Sequence, residues 1–178
     1  TDTLGIHVGA LLRLISTYTH LLRGAAADAA AEDGALGATS SAAAELLPSS
    51  LHALDAAAAA VPQNADVWTE RAAALHDLKR YDEALASYER GLALNPQSAR
   101  AWSGKSGVLR ALRRYADALV AYDRLEALSP KADLATDRAF CLFKLRRFDE
   151  ALGAYETALQ QTPDSAELWH DRAVTLTA

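Results

Sequence analysis

From Ala65 onward the apolar residues fall three and four positions apart, the spacing of one face of an α-helix. Trp68, Ala72, Leu75 and Leu78 form one such stripe, and Ala84, Leu85, Tyr88 and Leu92 form the next. Between them lies a short basic turn, Lys79-Arg80, where cations suit the negative end of the first helix dipole. The acidic pair Asp82-Glu83 opens the second helix, where carboxylates suit the positive end and can cap its free N–H groups. Asn95-Pro96 ends it, because proline has no N–H to continue the ladder. The pattern predicts a pair of helices joined by a tight turn.

The pair then recurs in one register. Pro62, Pro96, Pro130 and Pro163 stand 34, 34 and 33 residues apart. Tyr81, Tyr115 and Phe148 keep the same phase, as do Ala84, Ala118 and Ala151, then Tyr88, Tyr122 and Tyr155. Tryptophan marks the first helices at Trp68, Trp102 and Trp169. The basic turn returns as Arg113-Arg114 and Arg146-Arg147, followed by Asp117 and by Asp149-Glu150. Size, spacing and terminator agree over successive units, and in this the chain resembles the tetratricopeptide repeat (TPR) family. The units are 65–98, 99–131 and 132–165, with a partial fourth over 166–178 that gives the chain an unfinished end. The resemblance implies an all-α fold, a right-handed superhelical array of antiparallel helix pairs. Small residues Ala72, Ser106 and Ala139, facing Ala84, Ala118 and Ala151, let the helices of each pair approach.

Three departures stand out. Ala135 replaces tryptophan in the third unit, which should thin that seam. Leu125-Glu126 replaces the Gly91-Leu92 and Ala158-Leu159 of its neighbours, and the third unit is one residue short near Lys131. Residues 1–64 form an N-terminal helical extension with a capping helix over 49–61. Leu4, Val8, Leu11, Ile15, Tyr18 and Leu22 predict a first helix with a heptad-like seam, packed on the array or on a second copy. Ala25–Glu32 should add a short helix, and Gly34–Ser41 a loop.

Composition narrows the function classes. Alanine accounts for 41 of the 178 residues, leaving few large core-fillers for a sheet protein. A net charge of −5 argues against general nucleic-acid binding, which needs a basic footprint. One cysteine, Cys141, excludes an intrachain disulfide and fits a reducing, cytoplasmic setting. Arg13 and flanking histidines interrupt the apolar stretch 4–22, so it is neither a membrane span nor a clean secretory signal.

No residue set supports catalysis. The Gly104-Lys105-Ser106 fragment lacks the earlier glycine of a phosphate loop and lies inside a predicted helix. His7, His20, His52, His76 and His170 do not pair at metal-binding spacing, so neither a metal nor any other cofactor is expected. Cys141 sits in an apolar run as a packed thiol. The column Arg71, Lys105, Arg138 and Arg172 could be an anion ladder, but stems over rings with charges on neighbouring acids explain it better.

The family resemblance implies a non-catalytic protein-interaction scaffold that holds a peptide or partner domain against the first helices. A docking arm of a larger enzyme and a self-assembling module are the alternatives. The register assigns to that groove Asp66, Glu70 and Asp77 in the first unit and Arg100 and Arg110 in the second. The third adds Asp133, Asp137, Phe140, Phe143 and Lys144, and the fourth Glu167, His170 and Asp171. Acids outnumber cations there, so the expected partner segment carries basic residues around an apolar anchor docked at Phe140 and Phe143. The chaperone-tail clamp of some family members calls for lysine, asparagine, asparagine, lysine and arginine where this chain has Thr69, Ala73, Gly104, Asp133 and Asp137. A shift by one unit fares no better.

Overall fold

The computed structural model describes residues 50–130 and 133–178. The expected helices over 4–22 and 25–32 and the loop at 34–41 lie outside the described residues. The chain divides into two compact units at Pro96/Gln97. In the first, α1 covers 50–60, α2 Ala65–Asp77 and α3 Tyr81–Leu94. In the second, α4 covers Ala99–Ala111, α5 Tyr115–Leu128, α6 Ala135–Lys144, α7 Phe148–Gln161 and α8 Ala166–Leu176. The fold is all-α, a succession of helix hairpins in which α2 packs on α3, α4 on α5 and α6 on α7. Leu51, Leu54, Ala57 and Ala58 of α1 are buried.

The small-residue columns form the hairpin seams. Ala72, Ala84, Ala118, Ala139 and Ala151 have no exposed surface, and Ser106 has almost none. Close approach is tightest at Gly91, where an added Cβ would lie 3.1 Å from Thr69 Oγ1 and 3.2 Å from the Ala65 carbonyl. That seam explains why glycine stands there.

Each hairpin turn carries a residue in the left-handed region: Lys79 (φ 59°), Arg113 (φ 59°) and Arg146 (φ 61°). In the first turn, Arg80 N–H donates to the Leu75 carbonyl and Lys79 N–H to the His76 carbonyl, both at 2.9 Å. The other two turns repeat this double bond, which closes the end of the first helix as a Schellman motif. Sequence reasoning saw cations there and missed the backbone conformation.

The acids after the turn do something other than cap. The second helices start at Arg80, Arg114 and Arg147 without a side-chain cap. Instead Arg80 grips Glu83 through two hydrogen bonds of 2.6 and 2.7 Å, and Arg147 grips Glu150 through two of 2.7 Å. Arg114 holds Asp117 at 2.7 Å. These hydrogen bonds hold the Glu83 and Glu150 carboxyls below their usual range. The expectation of carboxylate capping is corrected accordingly: the carboxylate closes on the arginine three residues before it.

First helices are capped in the ordinary way, with one exception. Asn64 accepts from the Asp66 and Val67 N–H groups, Ser98 from Ala101 and Ser165 from Leu168. The exception is α6, with Leu134 at its start and no side-chain bond. The sequences Pro62-Gln63-Asn64, Pro96-Gln97-Ser98 and Pro163-Asp164-Ser165 correspond to Pro130-Lys131, which lacks one residue and any capping side chain. As a result α6 has 10 residues, against 13 in α2 and α4 and 11 in α8.

Candidate functional site

The arginine column is structural. Arg71 bonds Asp55 at 2.7 Å and Ser87 at 2.5 Å, tying α2 to α1 and α3. Arg138 holds Asp123 at 2.5 Å and Arg172 holds Glu156 at 3.0 Å, each an acid on the preceding second helix. The guanidinium of Arg71 lies 5.9 Å from the Trp68 ring centroid, and that of Arg172 5.9 Å from the centroid of Trp169. Lys105 lies 5.6 Å from the Trp102 ring.

The other chemical candidates also resolve into packing. Gly104-Lys105-Ser106 is inside α4, and Ser106 donates to the Ser103 carbonyl at 2.7 Å. Cys141 is fully buried, and burial pushes its thiol up to about 11, which removes it as a nucleophile at neutral pH. Among the described residues no group of histidine, cysteine and carboxylate side chains could hold a metal ion. No described helix is long and apolar enough to cross a membrane.

The sequence-assigned groove residues fall into separate settings. In the first unit, Asp66 sits exposed in the first turn of α2, and Asp77 is half-buried with a carboxylate 3.6 Å from His76 Nδ1. Glu70 is 6% exposed, so it is a packed side chain of α2. In the second unit Arg100, Glu167 and His170 are exposed. Asp133 faces Gln161 at the end of α7, whose amide nitrogen, turned toward it, donates at 3.2 and 3.3 Å.

The structure gathers the remainder around Phe140. Arg110, in the last turn of α4, is ion-paired with Asp137 of α6, so the cation expected to face a ligand is engaged internally. Its guanidinium lies 6.0 Å from the Phe140 centroid, and Lys144 Nζ lies 5.1 Å from the same ring. Tyr115, at the start of α5, meets Phe140 edge-on at 6.0 Å. Phe143 packs on Phe148 at 5.8 Å, the contact that His76 makes with Tyr81 in the first hairpin. Phe143 therefore closes its own hairpin, while Phe140 reaches the preceding one.

Between α6, α7 and α8 these rings floor a cavity of about 140 Å³, lined by Phe140, Phe143, Lys144, Tyr155, Asp171 and Val174. Burial raises the Tyr155 hydroxyl to about 12, with the Asp171 charge adding to it and the Thr175 hydrogen bond opposing it, so Tyr155 is a neutral wall. Lys144 and Asp171 supply opposite charges on the rim. Sequence reasoning placed Tyr155 only in a repeat column and missed both it and Val174 as lining residues. Val174 stands in the same repeat column as Phe140, which was the available signal.

A comparison with curated protein sequences finds no match. Solved structures do match. MamA superposes with a TM-score of 0.67 at 18% identity, covering 72% of this chain and 71% of that one. YrrB, a TPR protein with an unusual peptide-binding site, gives 0.68 at 20% identity over 76% of this chain and 71% of that one. The first TPR of Spaghetti (RPAP3), bound to an HSP90 peptide, gives 0.58 at 22% identity over 65% and 92%. At such identities the likeness establishes the fold. Two models of the tetratricopeptide repeat match the sequence itself, over residues 65–98 and 132–165. With the hairpins, small-residue seams and repeat columns described above, the chain belongs to the tetratricopeptide-repeat family.

Proposed function

We propose that this chain is a non-catalytic protein-interaction scaffold that seats an apolar side chain of a partner segment in the cavity at Phe140. The observation that carries the reading is the cavity itself: about 140 Å³, floored by two rings and a tyrosine, with Lys144 and Asp171 on its rim. A space of about 150 Å³ takes a benzene ring, so this one suits a single medium-sized apolar side chain. An extended segment could offer a backbone carbonyl to Lys144 and an N–H to Asp171 while its side chain enters.

Flanking charge favours basic neighbours, since Asp171 lines the cavity, the exposed Glu167 stands one turn before it on α8, and the Lys144 charge lies over Phe140 and Phe143. YrrB and RPAP3 bind peptides, which supports peptide binding as the mode. The acidic SRMEEVD segment held by RPAP3 is the wrong chemistry here, where Glu167 and Asp171 would repel it. A small wet interface of this kind should bind in the micromolar range.

The test is a peptide display selection on the wild-type chain, repeated on Phe140→Ala and Asp171→Asn. Selected segments should combine an apolar residue with lysine or arginine, and Phe140→Ala should weaken them at least about tenfold. A Phe140→Ala variant that melts much lower yet binds the same segments as well would return the ring to the fold and remove the site. Exposed Trp169, Val174 and Leu176 on α8 favour self-assembly as a second reading. Light scattering that shows mass rising with concentration would support it.

A further inference from the structure

The third repeat opens at the place where other repeats hold an indole. In the first repeat, Trp68 Nε1 donates to the Pro62 carbonyl at 2.9 Å while Arg71 lies 5.9 Å from the ring centroid. Trp169 repeats both contacts, with 2.8 Å to the Pro163 carbonyl and 5.9 Å to Arg172. The chain thus displays twice, once in each unit, how a proline carbonyl and an arginine hold an indole. In the third repeat the tryptophan is Ala135, but Pro130 and Arg138 remain.

Pro130, Ala135 and Arg138 line one cavity of about 320 Å³, with Glu126 of α5 and Gly153 and Thr157 of α7. The sequence departures of this region converge on it. Loss of one residue and of the capping side chain delays α6 until Ala135, removing a helical turn from the wall. Glu126 occupies the column of the buried Leu92 and Leu159, and it is exposed. Gly153 adds no side chain, and a Cβ built there meets nothing within 4 Å. Since about 150 Å³ takes a benzene ring, the space holds an indole together with its Cβ. Arg138 is already fixed, at 2.5 Å from Asp123 and 3.7 Å from Glu126, which presents its guanidinium as a ready face for a ring.

We infer that this cavity is a docking site for a tryptophan side chain of a partner protein, seated as Trp68 and Trp169 are seated on their own prolines and arginines. The site is distinct from the Phe140 cavity: the two share no lining residue, and on α7 Gly153 and Thr157 line this one while Tyr155 lines the other.

The experiment titrates the peptides acetyl-Lys-Trp-Lys-amide and acetyl-Lys-Ala-Lys-amide, and free indole, into the full chain under ligand-observed NMR. The tryptophan peptide and indole should bind with Kd on the order of 1 mM, as expected of one small anchor, and the alanine peptide should not bind. Ala135→Trp fills the cavity from within and should abolish binding while raising the melting temperature. Gly153→Leu closes the cavity from an exposed helix position that meets no neighbour, so it tests the site even if Ala135→Trp does not fold. Absence of binding to the wild type, or binding that survives Gly153→Leu, overturns the inference.

Discussion

The first and third repeats are built on the same hairpin and differ at the entrance to their first helix. Both have fully buried alanines at the helix crossing, a left-handed residue in the turn and an arginine–glutamate clasp after it. The first adds Asn64 as a cap and Trp68 bonded to Pro62; the third has Leu134, Ala135 and an opening. The hairpin is thus held by its crossing and its turn, while the first turn of the first helix differs between the two repeats. That turn can be altered without loss of the unit, which leaves it available for binding.

The largest effect should come where the two repeats agree. Ala84→Leu and Ala151→Leu each overpack a seam with no spare volume, and each should lose about 3 kcal/mol in urea denaturation. Unequal losses would break the claim that the crossings are equivalent. Trp68→Ala should remove about 2 kcal/mol from the first repeat, less than a fully buried tryptophan because Trp68 is only half-buried. A smaller loss, of about 1 kcal/mol, is expected for Asn64→Ala, read as earlier melting and faster amide exchange in the first turn of α2. The smallest change has the opposite sign. Lys79→Gly and Arg146→Gly relieve a left-handed non-glycine residue, so each should raise the midpoint by somewhat less than about 1 kcal/mol. Stabilisation in one repeat and not the other would show that the turns are not interchangeable.

Periodicity made the hairpins legible, because Ala72, Ala84, Trp68 and Pro62 act through volume and hydrogen-bonding capacity that do not depend on distant chain. The register also placed Arg71, Arg138 and Arg172 with acids on neighbouring helices. What spacing could not give was the choice among partners within reach. Asp82 and Glu83 both suit a helix start, and only the geometry of Arg80 decides that Glu83 turns back to it. Lys79 adopts a conformation that its side chain disfavours, imposed by two backbone bonds. Arg110 looks like a free cation in its own helix, yet Asp137, 27 residues later, takes it up. Around Phe140 the repeat column pointed to Val174, but nothing in the spacing marked Tyr155 as part of the cavity, since that depends on how α7 and α8 meet α6.

The ion pairs of the arginine column close over short stretches of chain: 16 residues for Asp55–Arg71, 15 for Asp123–Arg138 and 16 for Glu156–Arg172. Loop closure over such distances carries little entropy, and proteins dominated by local contacts fold in milliseconds or less. A ribosome adding roughly 5–20 residues per second takes more than a second to deliver one hairpin. Each hairpin can therefore finish forming before the next is available to it. For this chain, assembly order is written by synthesis order.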